Sequence, residues 1–498
     1  MLRALQAFAV RDRLPVGLWL GRGMLGGMTH TVPALLAPLM WLQGFERELL
    51  VFAAFWFALG TLDELAFDLT WLWLKLTGRA RERRVAPGLA ERPLGGKAAV
   101  LVPAWRESSV IGETIAHALR VWPQQDYVLY VGCYRNDAET TAAAIGAVRG
   151  DPRVRLVIHD CAGPTTKADC LNRLYAALGQ DEQRRKISFR SVVLHDAEDM
   201  VHPAALAVID EALGEVDFVQ LPVRPELQPG ARWIGGHYAD EFAEAHAKVL
   251  VARDALGAGI PAAGVGCGFD RAALARLSEI RRAEGESGPF AAQCLTEDYE
   301  LGLLLSRAGR GSRFLRLRDA DGALVATRSY FPAELGEAVR QKTRWMHGIA
   351  LQEWDRLGWS LNPIDLWMAL RDRRGPLTSL VLFAAYLLLA LELVLTIARG
   401  SGFVLTLPRS PLLEAMVWFT LFGLVWRALF RFGFTAAEYG PLEGCRALLR
   451  IPVANIIAIM AGRRALVAYA RSLFGAGPVW EKTAHRGHPA QAQREAPA

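Results

Sequence analysis

Cysteine is scarce in this chain, 6 in 498 residues, and no two of them form a CxxC pair. Cys133, Cys161, Cys170, Cys267, Cys294 and Cys445 sit in apolar or loop contexts suited to a reducing compartment. A disulfide scaffold is thereby excluded, and a zinc site is not expected. No GxGxxG follows the first predicted strand, which argues against a dinucleotide site. Gly163-Pro164-Thr165-Thr166-Lys167 lacks the Gly-Lys-Ser/Thr that a phosphate loop needs. Arg3, Arg11 and Arg13 precede no compact apolar stretch with a small-residue cleavage site, so a cleaved leader is not expected. Charge, at 22%, is thin for a soluble enzyme yet too dense for an all-membrane bundle. With 52% hydrophobic residues and a mean hydropathy of +0.17, the composition reads as two materials joined, and it excludes disorder and collagen.

The apolar material lies at the two ends. Leu49–Leu74 and Leu377–Ala398 are each long enough to span a bilayer, which takes about 20 apolar residues. Leu412–Trp426 reaches Phe434 if Arg427 and Arg431 snorkel. Ile451–Gly462 is too short to span unless Arg463 and Arg464 are accommodated, and otherwise predicts an interfacial or re-entrant segment; the Gly- and Pro-broken stretch from Val16 to Gln43 has no clear placement. Lys75, Arg79, Arg81, Arg83 and Arg84 follow the first span, and Arg371, Arg373 and Arg374 precede the second. Basic flanks on both edges put the region between them in the cytoplasm. They also account for much of the net charge of +6 and the pI near 9.1, so a nucleic acid partner is not expected. Asp63, Glu64 and Asp68 fall inside the first span; they mark either a functional site in the membrane or a helix that leaves the bilayer near Gly60.

Between residues 96 and 345 the texture changes. Short apolar runs at Ala98–Pro103, Tyr127–Gly132, Val154–Ile158, Val192–Leu194 and Phe218–Leu221 alternate with helical patterns at Ser109–Val121, Asp137–Arg149, Thr166–Leu178 and Pro203–Leu213. Such alternation predicts an α/β domain with a mostly parallel central sheet, whose ligands bind beyond the carboxyl ends of the strands. Those ends are rich in acids: Glu107 after the first run, Asp137 after the second, and Asp196-Ala197-Glu198-Asp199 after the fourth. Acids this close repel one another, and a divalent cation with oxygen ligands, Mg²⁺ or Mn²⁺, relieves the repulsion. The alternative is a solvated turn with Asp199 capping the next helix. Lys167 opens a helix, where ammonium and helix N-terminus together favour a diphosphate.

Four elements occur in order: Asp137, then Asp196-Ala197-Glu198, then Thr296-Glu297-Asp298, then Gln341-Lys342-Thr343-Arg344-Trp345. With them the sequence resembles the family 2 inverting glycosyltransferases of the membrane-bound, polysaccharide-synthase-like kind. The stretches VPAWRESSVIG, GPTTKADCLN, LHDAEDMVHP, PAAGVGCGF, CLTEDYELG, YFPAELGEAVRQKTRW and VWEKTAH make it similar to the bacteriophage adsorption protein B group of inner-membrane glycosyltransferases, over about residues 49–485. The resemblance implies a GT-A fold flanked by transmembrane helices. It divides the chain into a membrane segment with basic linker (1–95), a GT-A domain (96–345), an interfacial connection (346–375), membrane helices (376–474) and a polar tail (475–498).

It also implies roles. Asp137 contacts uracil or ribose of a UDP-sugar, Pro103, Ala104 and Glu107 line the nucleotide pocket, and Lys167 and Asn172 hold the nucleotide and diphosphate. Asp196 with Glu198 or Asp199 binds Mg²⁺ or Mn²⁺, and Asp298 is the general base. Gln341 and Arg344 reach the diphosphate, while Trp345, Gly266, Cys267 and Glu297 meet the acceptor. The donor it suggests is a UDP-N-acetylhexosamine, the acceptor a growing exopolysaccharide, and the partners membrane lipid and an outer-membrane export component. Transfer to a polyprenyl phosphate and a scaffold or receptor role are the alternatives. In that group a cyclic-di-GMP-binding domain commonly follows the VWEKTAH-like stretch. Here a polar tail follows it, so control in cis is not expected. His246, His347 and the pair His485/His488 show no ligand spacing and read as structural or solvated.

Overall fold

The computed structural model describes residues 32–400, 408–475 and 487–495. VWEKTAH, with His485, lies outside the described residues, as do the basic N-terminal arginines. The chain falls into two compact units, one of residues up to Val51 with Tyr386–Arg409, the other of Phe52–Ala385 with Ser410–Ala498.

In chain order the helices used below are α1 (Val32–Leu76), α2 (Ile111–Val121), α3 (Ala138–Val148), α4 (Lys167–Arg185), α5 (Ala205–Ala212), α6 (Ile234–Glu244), α7 (Arg271–Ala283), α8 (Glu297–Arg307), α9 (Leu335–Trp345), α10 (Pro363–Arg373), α11 (Gly375–Gly400), α12 (Pro411–Tyr439) and α13 (Pro441–Ser472). The central sheet has seven strands, β1 (Lys97–Pro103), β2 (Tyr127–Tyr134), β3 (Val154–His159), β4 (Phe189–Leu194), β5 (Phe218–Gln220), β6 (Cys267–Asp270) and β7 (Ser312–Phe314), in the order β3-β2-β1-β4-β6-β5-β7. All neighbours are parallel except the two pairs made by β6.

Burial on both faces explains why β1 is apolar from Ala98 onward. Val100 and Val102 enter one core with Leu129, Val131 and Val193, while Ala99 and Leu101 enter the other with Tyr130, Val192 and Leu194. Successive side chains point to opposite faces, so an unbroken apolar run is what a strand covered on both sides requires. The parallel strands β1 and β4 end together, which places the residues after Pro103 and after Leu194 on the same edge of the sheet.

Among the described residues, four helices, Pro38–Leu76, α11, α12 and α13, are long and apolar enough to cross a membrane. α1 runs unbroken through Gly60, so its three acids lie on continuous helix. Asp68 pairs with Lys248 Nζ at 2.7 Å and receives Trp426 Nε1 at 2.8 Å. Glu64 meets Arg371 and Arg427, each at 3.0 Å, and Asp63 receives Trp367 Nε1 at 2.7 Å. These partners come from α10, α12 and the turn after α6, so the acids clamp α1 to the rest of its unit.

Ile451–Gly462 departs from expectation: it lies within the 32-residue α13. Arg463 and Arg464, which follow the run, are exposed on the helix, while the arginine that precedes it is paired. Arg450, buried, gives Nη2 to Asp240 at 2.6 Å and Nη1 to Glu443 at 2.8 Å. α13 also packs on α9 and α6, and Ile457 joins Tyr238, Ala338 and Val339 in one cluster.

Candidate active site

An open cleft of about 660 Å³, counting its mouth, lies at the carboxyl end of β1 and β4. Pro103, Ala104 and Glu107 form one wall, Lys167 a second, Asp196 and Glu198 a third, and Gln341 and Arg344 close it. Trp105, Tyr134, Thr166, Cys170 and Ala197 complete the lining. Of these, Trp105 and Tyr134 carried a sequence signal only as residues at strand ends. Their rings meet edge to face at 5.0 Å, and Tyr134 Oη shares a hydrogen bond of 2.7 Å with Thr165.

Local chemistry positions each charged group. Thr166 caps α4 reciprocally with Asp169, which fixes Lys167 in the first turn of the helix. Its ammonium sits 2.6 Å from Asp196. Burial opposes that charge, but Asp196, Glu297 and Asp298 outweigh it and raise the Lys167 pKa. Gly264 (φ +74°) lies where Lys167 and Asp298 converge: a Cβ there would collide with the Asp298 carboxylate and lie 3.1 Å from Lys167 Nζ. Only glycine fits both the backbone and the space.

Asp298 and Glu297 stand in the first turn of α8, both buried or nearly so. Burial raises the pKa of each. The Asp298 charge pushes Glu297 further up, and Lys167 draws both back. Asp298 Oδ1 accepts the Tyr299 N–H at 2.8 Å. Cys267 lies among the same acids, and burial, then Asp298, pushes its thiol pKa up. Gly266 (φ +59°) brings backbone against Thr327.

Several expected residues face elsewhere. Asp199 is 1% exposed; its Oδ2 accepts the Asp196 N–H at 2.9 Å and bonds His195 Nδ1 at 3.0 Å, so Glu198 and not Asp199 reaches the cleft. Asn172 is spent on the Phe290 backbone, donating to its carbonyl at 2.7 Å and accepting its N–H at 3.0 Å. Asp137 caps α3 and accepts the N–H of Arg106 at 2.5 Å, holding that residue at φ +53° beside Trp105 and Glu107 of the cleft lining. Trp345 packs on Tyr238 and Phe242 rather than on the cleft. Gln341 Oε1, by contrast, is buried with no hydrogen-bond partner among the described residues, a group left for a ligand.

His246 bonds the Val223 backbone and His347 is buried, both structural as expected. His488 is not solvated; it is buried against the acid turn.

Residues 96–348 match the family described as glycosyltransferase like family 2. Over 472 residues the chain is 31% identical to the bacteriophage adsorption protein B of Escherichia coli K12, and equally to the bacteriophage N4 adsorption protein B of Escherichia coli O157:H7. The alignment covers 89% of this chain and 62% of each relative, so the chain spans less than two thirds of their length. A mannosyltransferase from Pyrobaculum calidifontis, solved with GDP-Man and Mn²⁺, superposes at a TM-score of 0.48 with 17% identity, over 82% of this chain and 99% of that one. Glucosyl-3-phosphoglycerate synthase from Mycobacterium tuberculosis, solved with Mn²⁺ and UDP-Glc, gives 0.34 and 19%, over 54% and 81%. The family match spans about half the chain and takes in every strand of the central sheet, so the chain belongs to the family 2 glycosyltransferases and carries their GT-A fold.

Proposed function

We propose that the chain is an inverting transferase of the bacterial inner membrane, moving a sugar from a UDP-sugar to a growing exopolysaccharide on the cytoplasmic side. One observation carries this reading: two cleft-facing acids, a cation and the Gln341–Arg344 wall meet at the carboxyl ends of parallel strands, the edge where such sheets bind ligands. Pro103, Ala104, Trp105 and Glu107 offer a half-apolar wall for the nucleotide. Lys167, at a helix N-terminus, and Arg344 suit the diphosphate. Asp196 and Glu198, oxygen donors facing an open cleft, fit Mg²⁺ or Mn²⁺, which when bound neutralises diphosphate charge.

Asp298 takes the proton of the acceptor hydroxyl. The oxygen then forms its bond to the anomeric carbon as the bond to UDP breaks, with the electron pair leaving on the β-phosphate. One displacement inverts the centre, and a base whose pKa burial has raised is a stronger proton acceptor. Arg344 and Lys167 stabilise the charge that develops on the departing diphosphate.

Acceptor contacts are proposed for Glu297, Gly266 and Cys267. Trp345 supports the Gln341–Arg344 helix face from behind. A UDP-N-acetylhexosamine donor and an outer-membrane export partner rest on the resemblance to the adsorption protein B group.

The test is to incubate membranes with a panel of labelled nucleotide sugars and Mg²⁺ or Mn²⁺, then size the product. A polymer supports the reading. A single sugar on a lipid replaces it with polyprenyl-phosphate transfer, and no product at all favours the scaffold.

A further inference from the structure

We propose that His488, on the C-terminal segment, is a positioning residue for the acid turn Asp196–Asp199, acting through the Asp199 carbonyl. This rests on the reading of Asp196 and Glu198 as the acids that hold the diphosphate and its metal.

The turn after β4 is long, bears two acids facing the cleft, and contains little regular structure of its own. Several of its backbone carbonyls are instead taken up by side chains, while that of Met200 accepts the Arg328 N–H at 2.9 Å. Thr114 Oγ1 donates to Ala197 at 2.5 Å, and Trp122 Nε1 donates to His202 at 3.1 Å. His117 Nε2 bonds the Val201 carbonyl at 2.9 Å. All three come from α2 or the residue following it. The Asp199 carbonyl lies between those of Ala197 and Val201, and its partner is His488 Nε2 at 3.2 Å, from 289 positions further along the chain.

Neighbouring bonds assign the tautomers. Ala490 N–H donates to His488 Nδ1 at 3.1 Å, so Nδ1 carries the lone pair and Nε2 the proton. Arg120 Nη2 likewise donates to His117 Nδ1 at 3.2 Å, leaving His117 Nε2–H to donate. Two neutral imidazoles, ring centres 6.3 Å apart, thus brace adjacent carbonyls of one turn. His488 is 1% exposed and Ala490 2%, so the segment is seated on this surface. The side chain of Asp199 holds the same turn from inside, through Asp196 N–H and His195. Removing His488 leaves a buried carbonyl without this donor one residue from Glu198. A turn freed there lets Asp196 and Glu198 spread under their mutual repulsion.

The experiment uses the full chain in detergent with three variants, His488→Ala, His488→Gln and His488→Asn. Gln places an amide N–H where Nε2 lies; Asn cannot reach it. Without substrate or metal, hydrogen exchange at the amides of Asp196–Met200 should accelerate about fivefold to tenfold in the Ala and Asn variants and stay near wild type in Gln. In transfer assays the Mn²⁺ concentration for half-maximal rate should rise about tenfold in Ala and Asn, with kcat at saturating Mn²⁺ within about twofold of wild type. Unchanged exchange in the Ala variant, or equal behaviour of Gln and Asn, overturns the proposal. Faster exchange with an unchanged Mn²⁺ requirement supports the strut and overturns the reading of the two acids as metal ligands. Should the Ala variant not fold, the Gln–Asn comparison decides.

Discussion

Glu198 and Asp199 are adjacent carboxylates with opposite fates, one on the cleft and one buried under the turn. Their substitutions should separate accordingly. Glu198→Gln should lower transfer at limiting Mn²⁺ at least tenfold with little change in thermal stability. Asp199→Ala should cost about 1–3 kcal/mol for each group it leaves unpaired, the Asp196 N–H and His195, read as a fall in melting temperature. Asp298→Asn should abolish transfer while UDP binding persists; unchanged turnover would remove the base assignment. Glu353 gives a pH test. Burial, then the charge of Glu300, pushes its pKa up from 4.5 to about 7. A raised folded pKa means that the stability it contributes is complete below pH 4.5 and lost as pH rises through about 7. Wild type should therefore lose more stability than Glu353→Gln between pH 5 and pH 8, and parallel melting curves would contradict the shift. Residue type and order singled out Asp196, Glu198, Lys167, Gln341 and Arg344, which the fold gathers on one cleft. They did not reveal that Asn172 is engaged by Phe290 118 positions away, because a side chain's direction depends on partners the chain brings in later.

Among elements, the first five strands were legible because burial on both faces demands apolar runs, and their ends agree with the sequence reading to within a few residues; β6 and β7, short and carrying polar residues, were not. Of the long helices, the first two runs were legible, α12 was legible only if its arginines snorkel, and α13 was not, its run having been read as too short. The acids inside α1 and Arg450 of α13 looked like interruptions in the sequence; they are contacts. Asp68 and Lys248 are both buried, and removing one partner of a buried pair strands the other. Lys248→Met should destabilise the protein by about 3–5 kcal/mol, and the further change Asp68→Leu should recover part of that, since Glu244, which also bonds Lys248 Nζ at 2.7 Å, still loses this partner. A double variant no more stable than the single one would show that the pair does not act as a unit. Arg450→Met should behave likewise, since Asp240 and Glu443 both depend on it.

At the scale of the whole molecule, the mixed composition resolves into apolar helices around an α/β domain. Orientation is testable with the thiols. Cys161 and Cys445 are exposed and the other four cysteines are buried. A membrane-impermeant maleimide should leave Cys161 unlabelled in intact spheroplasts and label it once the membrane is opened. Labelling in intact spheroplasts would place the catalytic domain on the opposite side.

The sequence by itself determined the fold class, the order of the acids and the presence of helices able to span a bilayer. These properties are written in local periodicity and residue type, which do not depend on distant neighbours. Tertiary structure decided which acid faces the cleft, why Gly264 must be glycine, and that α1 and α13 hold their charges against the rest of the unit. It also decided that His488 reaches the acid turn. Asp199 is turned away by near neighbours in the chain, His195 and Asp196; the rest are contacts between segments far apart in sequence, made only when the sheet aligns its strand ends.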